Sequence, residues 1–186
     1  MLWRSLAVCA CLGTSALADT PFPADIGGPF QLIDQHEALR TEVDPKGQAQ
    51  LVFFGYANCL NICSAALPLM AQVTDAMALE GHGVTPILIT IAPDQDTVDT
   101  MDAPLAELHP EFVGLTGDEY ALSVAYDAFN VKFEPLFEDP EYGWIYSHTG
   151  FVHLLDGEGE LLTLLPPILN AEQMTGIVRK YLSGQS

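Results

Sequence analysis

Two cysteines four positions apart, Cys59 and Cys63, stand in the run Phe53-Phe54-Gly55-Tyr56-Ala57-Asn58-Cys59-Leu60-Asn61-Ile62-Cys63. If this segment is helical, positions i and i+4 share a face. Their Cα atoms then lie about 6 Å apart, within reach of a disulfide or of one shared metal ion. The N-terminal end of a helix favours negative charge, which lowers a thiol pKa and populates thiolate. Thiolate is both the soft metal ligand and the nucleophile. A disulfide here closes only a few residues and restricts the unfolded chain little. Chemistry is therefore a better reason for the pair than stability.

The surrounding elements say how the pair is held. Gln50 to Phe54 is short, apolar and aromatic and is ended by Gly55, which predicts a buried strand. Ser64 to Leu79 follows as a helix: Ala66, Leu69, Met70, Val73 and Met77 recur at helical spacing, and Gly81 and Gly83 stop it. The cysteines thus fall at a strand-to-helix junction. Pro68 within that pattern predicts a kink in the first turns. Thr85 to Ile91 reads as a second buried strand, Asp99 to Leu108 as a helix limited by Pro104, and Phe112 to Leu115 as a short strand. Asp118 caps a helix running to about Phe129.

Val131 to Phe133 starts the next strand, and Glu134 to Tyr142 reads as an acidic, Pro-containing loop. Phe151 to Leu155 and Glu160 to Leu164 flank the turn Asp156-Gly157-Glu158-Gly159, as antiparallel neighbours do. Ala171 to Leu182 is a closing amphipathic helix. Ahead of these, Thr20 to Pro29 reads as an extended lead-in, and Phe30-Gln31-Leu32 with Val43 as short strands of a hairpin. A β-α-β-α order followed by a hairpin and a helix predicts the α/β class and the thioredoxin-like fold, a central mixed β-sheet flanked by helices.

The 186 residues suit one domain, and 49% hydrophobic residues suffice for a sizeable core. Asp and Glu number 25 against 6 Lys and Arg, a net charge of −19. Phosphate binding needs a basic footprint, so nucleic acid is excluded as a partner. An anionic lipid surface repels such a chain, which argues against strong membrane binding. Arg4, the apolar run Leu6 to Leu12 and the A-x-A sequence Ala16-Leu17-Ala18 read as a secretory signal over residues 1–18, cut ahead of Asp19. The apolar run is too short to span a bilayer. A lipoprotein signal with Cys11 as the lipidated residue is the alternative, and Val8-Cys9-Ala10 fits it poorly. The expected domain is 19–186, exported to a bacterial periplasm. Cys9 and Cys11 leave with the signal, and Cys59 and Cys63 remain.

The chain resembles the Sco/SenC family of copper proteins that serve cytochrome c oxidase assembly. The likeness runs from about Gly27 to Leu162. It is carried by Gly28-Pro29-Phe30-Gln31-Leu32, by Leu51 to Tyr56 with the two cysteines, by Thr90 to Thr97, by Gly114-Leu115-Thr116-Gly117, by Tyr146-Ser147-His148-Thr149 and by Leu154-Leu155-Asp156-Gly157. The resemblance implies that Cys59, Cys63 and His148 bind one copper ion. It also implies a copper-accepting protein such as a cytochrome c oxidase subunit, and an upstream thiol reductant. The sequence departs from the family pattern at Leu60 and Asn61, where Pro and Asp are usual, and at Ser64, where Pro is. Ala92 and Gln95 replace an Asp and an Arg, and Ser147 replaces the Asp beside the histidine. Neighbours of that kind orient ligands, and losing one typically costs about 10–100-fold in metal affinity or activity.

Donor chemistry agrees with the resemblance. Thiolate suits Cu(I), imidazole suits Cu(II) as well, and two thiolates with one imidazole can hold either state. Zinc in a structural site wants four ligands. Without the resemblance, His148 is an ordinary polar loop residue. His153, within the apolar strand, reads as a core histidine, and His36, His82 and His109 look solvated. Met70 and Met77 read as core packing, and Tyr56 and Trp144 either line the site or pack.

Two functions remain. One is a metallochaperone that transfers copper by ligand exchange. The other is a thiol-disulfide oxidoreductase with Cys59 and Cys63 as its redox pair. Against the second, the spacing exceeds C-x-x-C by one residue and no Pro directly precedes Phe151.

Overall fold

The computed structural model describes residues 26–57, 65–140 and 143–184. The expected signal over residues 1–18 lies outside them, and so do Cys59, Leu60, Asn61, Cys63 and Ser64. The elements are β1 (Leu32–Asp34), β2 (Leu39–Arg40), β3 (Ala49–Gly55), α1 (Ala66–Leu79), β4 (Val84–Thr90), α2 (Val98–Leu108) and β5 (Val113–Thr116), followed by α3 (Glu119–Ala128), β6 (Phe133–Asp139), β7 (Gly143–His148), β8 (Val152–Leu155), β9 (Leu161–Leu165) and α4 (Ala171–Ser183).

Seven strands form one mixed sheet in the order β2-β1-β5-β4-β3-β8-β9. The centre is parallel: β3 pairs with β4 over the whole of both strands, and β4 pairs with β5. The antiparallel strands β1 and β8 flank this centre. Both faces are covered, which is why β3 and β4 are buried at every position and read as continuous apolar runs. Alternation along β3 divides the core. Ala49, Leu51 and Phe53 face a layer that includes Met70, Val73 and Met77 of α1, Met101 and Leu105 of α2, and Met174 and Val178 of α4. Val52 and Phe54 face Leu122 and Ala125 of α3, with Phe129 just beyond it.

Local chemistry sets the ends. Asp118 Oδ1 accepts from the Ala121 N–H at 2.8 Å, capping α3 as its sequence position implies. Thr97 with Thr100, and Asn170 with Gln173, form capping boxes at α2 and α4. Helix α1 begins at Ala66, so Pro68 is its third residue. The N–H it lacks is among those with no intrahelical partner anyway, so the expected disruption has no hydrogen-bond cause. Helix α2 runs through Pro104 instead of being limited by it.

Three expectations are corrected. The partner of β1 is Leu39–Arg40, not Val43; a turn in which Asp34 Oδ1 accepts from the N–H groups of His36 and Ala38 brings it back early. Of Glu134 to Tyr142, expected as a loop, the run Glu134 to Asp139 is strand instead and pairs with β7 in a separate two-stranded sheet. His109 is not solvated: its side chain is 13% exposed and its Nε2 lies 3.2 Å from Asp75 Oδ1, tying the end of α2 to α1.

The turn after β8 is fixed by close approach. Asp156 Oδ1 accepts from the N–H groups of Glu158 and Glu160, and the Gly157 carbonyl accepts from the Asp44 N–H. A Cβ on Gly157 would lie 2.5 Å from the Gly47 carbonyl oxygen. Gly157→Ala is therefore expected to cost about 1–3 kcal/mol of stability through overpacking. Urea unfolding would show it as a lower midpoint at unchanged slope.

Candidate metal centre

The site is built at the C-terminal ends of the parallel strands. Strand β3 ends at Gly55, whose carbonyl accepts from the Ile91 N–H at 2.8 Å. Tyr56 and Ala57 continue from it, both buried. The next described residue is Ala65, directly before α1. The segment carrying Cys59 and Cys63 joins these two points.

His148 is the last residue of β7, where β6 and β7 return to the sheet. Its ring stands edge-on to Phe53, with centroids 5.6 Å apart, and to Tyr56, at 6.5 Å. The hairpin thus brings the imidazole against Tyr56, which is three positions before Cys59 in the sequence. His148 Nδ1 lies 3.1 Å from the Thr149 carbonyl oxygen. A carbonyl only accepts, so Nδ1 carries the hydrogen and Nε2 keeps its lone pair. Burial holds the imidazole below its ordinary pKa, more strongly than the Thr149 bond raises it, so the ring is neutral at neutral pH. A neutral imidazole whose other nitrogen donates to a carbonyl is the usual form of a metal-binding histidine.

Tyr56 both packs and contacts His148, and its ring also lies 6.1 Å from that of Tyr146. Trp144 is 44% exposed and pairs with Glu138 towards the far end of the hairpin. Ser147 is exposed and opposite Glu134, so alternation turns it to the face away from His148. Ala92 is buried and its N–H donates to Thr90 Oγ1. Gln95 reaches the hairpin end, where a Cβ on Gly143 would come 2.9 Å from its Nε2. His153 is a core residue, as its strand context suggests. It is buried edge-on to Phe54 and Phe129, its Nδ1 lies 3.3 Å from the Val52 carbonyl oxygen, and burial pushes its pKa down to about 4.

One residue of the site had no sequence signal beyond its place in the Thr90 to Thr97 segment. Asp96 is fully buried. Its Oδ2 accepts from the Ala57 N–H at 2.9 Å and from Thr90 Oγ1 at 2.8 Å. Its Oδ1 is buried with no hydrogen-bond partner. Loss of solvent outweighs the two bonds and pushes its pKa up to about 6.

A thioredoxin-like sheet, with a neutral histidine docked where the central strand gives way to a cysteine pair, defines the class of protein. The SCO1/SenC family profile matches residues 18–183, and the chain belongs to that family. A SCO2-like protein of Rickettsia felis is 32% identical over 138 residues, which are 74% of this chain and 67% of that protein. Among solved structures, copper-bound ScoI of Arabidopsis thaliana superposes with a TM-score of 0.79 at 25% identity, covering 86% of this chain and 99% of that one. Copper-bound ScoI of Bradyrhizobium japonicum gives 0.72 at 28% identity, covering 84% and 99%. Among the described residues no helix is long and apolar enough to cross a membrane.

Proposed function

We propose that this chain is a periplasmic metallochaperone of the Sco/SenC type. Residues 1–18 are its export signal and 19–186 its working domain. In the reduced form it binds one copper ion through Cys59, Cys63 and His148 and passes the ion to a cuproprotein such as cytochrome c oxidase. The observation that carries this reading is the state and place of His148. It is a neutral imidazole with Nε2 available, held against the strand exit that leads to Cys59. The copper-bound relatives in plant and bacterium support the choice of ion. Thiolates suit Cu(I), and the imidazole extends the site to Cu(II). Transfer is ligand exchange: an acceptor's donors take the ion as this chain's donors release it, with no change of oxidation state. An upstream thiol reductant keeps the cysteine pair competent.

Copper stoichiometry tests the proposal. The reduced chain is expected to hold one copper ion per molecule and the disulfide form none. Cys59→Ser and Cys63→Ser are each expected to lose tight binding. A reduced chain that takes up no copper overturns the reading. If its thiols still exchange readily with glutathione, the chain is the oxidoreductase instead.

A further inference from the structure

The geometry points to Asp96 as a positioning residue for the copper site: its buried carboxyl fastens the chain where it leaves β3 and so fixes where Cys59 begins. The inference rests on the copper reading above.

Asp96 gathers the ends of three parallel strands. The Ala57 N–H, just past β3, and the Thr90 hydroxyl at the end of β4 both donate to Oδ2. The Thr116 hydroxyl at the end of β5 donates to the Asp96 carbonyl. The Thr90 carbonyl in turn accepts from Tyr126 of α3, and Thr90 Oγ1 from the Ala92 N–H. Ala57 is therefore held from the side by a frame that reaches across the sheet. Cys59 is two residues further on, no more than about 7 Å of extended chain. Fixing Ala57 anchors the chain directly after Tyr56, whose ring touches His148.

The choice of acid is informative. A buried carboxyl is costly to keep unless it is fully bonded, and here one oxygen has no partner. A mere peg between β3 and β4 needs only a neutral acceptor. A carboxylate gives the Ala57 N–H a charge-assisted bond, shorter and stronger than a neutral one.

The test compares Asp96→Ala and Asp96→Asn with the parent as full reduced chains. Cu(II) affinity is read by competition with a chelator, and the sulfur-to-copper absorption band gives the geometry. Asp96→Ala is expected to weaken Cu(II) binding by about 10–100-fold, as loss of an orienting neighbour does, and to shift the band. Asp96→Asn keeps an oxygen for Ala57 but loses the charge-assisted bond, and is expected to restore the band position and only part of the affinity. A purely structural role would lower the unfolding midpoint without moving the band. In the metal-free chain, iodoacetamide should alkylate the thiols of Asp96→Ala at least about 3-fold faster, because loss of an anion favours thiolate and Ala57 loses its anchor.

If Asp96→Ala does not fold, Thr90→Val takes its place. It strips one donor from the carboxylate and is expected to shift the band in the same direction. A folded Asp96→Ala, or in its stead Thr90→Val, with the parent's affinity, band and alkylation rate overturns the inference. A parent that binds no Cu(II) instead sinks the copper reading itself, so the two failures are distinct.

Discussion

Replacing His148 by Ala is expected to weaken Cu(II) binding by more than about 100-fold, beyond the ~10–100-fold typical of losing an orienting neighbour. Cu(I) binding should change far less, because two thiolates are its preferred donors. Reduction of the cysteine pair should proceed at nearly the parental rate. The contrast follows from geometry. His148 is placed by β7 and by the rings of Phe53 and Tyr56, and the Thr149 carbonyl orients its ring. Its ring contacts are edge contacts at the base of the hairpin, so its loss leaves the main sheet paired. Competition titrations in both oxidation states, with unfolding curves as a control, measure the difference. A variant that binds Cu(II) as tightly as the parent removes His148 from the ligand set, and with it the observation that carries the proposed function.

The second large effect concerns acid stability. Burial pushes His153 down to about 4 and Asp96 up to about 6. Between pH 6.5 and 4 an unfolded His153 binds a proton that the folded one refuses, so acidification destabilises the fold. Between pH 6 and 3.8 the folded Asp96 binds a proton that the unfolded one does not, so acidification stabilises it. Each shift spans a little over two pH units and is worth about 3 kcal/mol at 1.36 kcal/mol per unit. The two nearly cancel in the parent. Asp96→Asn removes only the stabilising side. Relative to the parent it should therefore lose about 3 kcal/mol between pH 6.5 and 4. Urea unfolding at both pH values checks this. Parallel losses in parent and variant would show that Asp96 does not take up its proton in this range.

Most of the frame was legible because burial imposes a period. The two-sided burial of β3 and β4 reads as unbroken apolar runs, α1 has helical spacing with glycine stops, α3 has its Asp118 cap, and α4 shows an amphipathic pattern. The hairpin of β6 and β7 was hidden by its own chemistry. Pro135 and the acids Glu134, Glu138 and Asp139 disfavour a strand. The register shifts between Pro135 and Phe137, which breaks the alternation a strand would display. The five residues between Phe133 and Asp139 are all exposed, so no inward alternation exists to be read. Strand β2 is two residues long and escapes any periodicity. Asp96 carries no such signal for a different reason. An acid between a strand and a helix reads as a solvated cap, and only the fold reveals that it points inward. His148 was singled out by resemblance, while its neutral state and its contact with Tyr56 required coordinates.

The two donor types belong to parts of the molecule with unequal resistance to opening. Strand β3 and helix α1, which bracket the cysteines, are locked into the main sheet and its helical cover. Among the described residues the ribbon of β6 and β7 pairs with no other strand. An isolated two-stranded ribbon is marginal in water, and this one is held down through Phe133 and Tyr146 against Tyr126 and Tyr56. Lifting it breaks a few ring contacts and leaves the central ladder intact. The imidazole thus sits on the detachable arm, while the strand and helix on either side of the cysteine segment belong to the fixed frame.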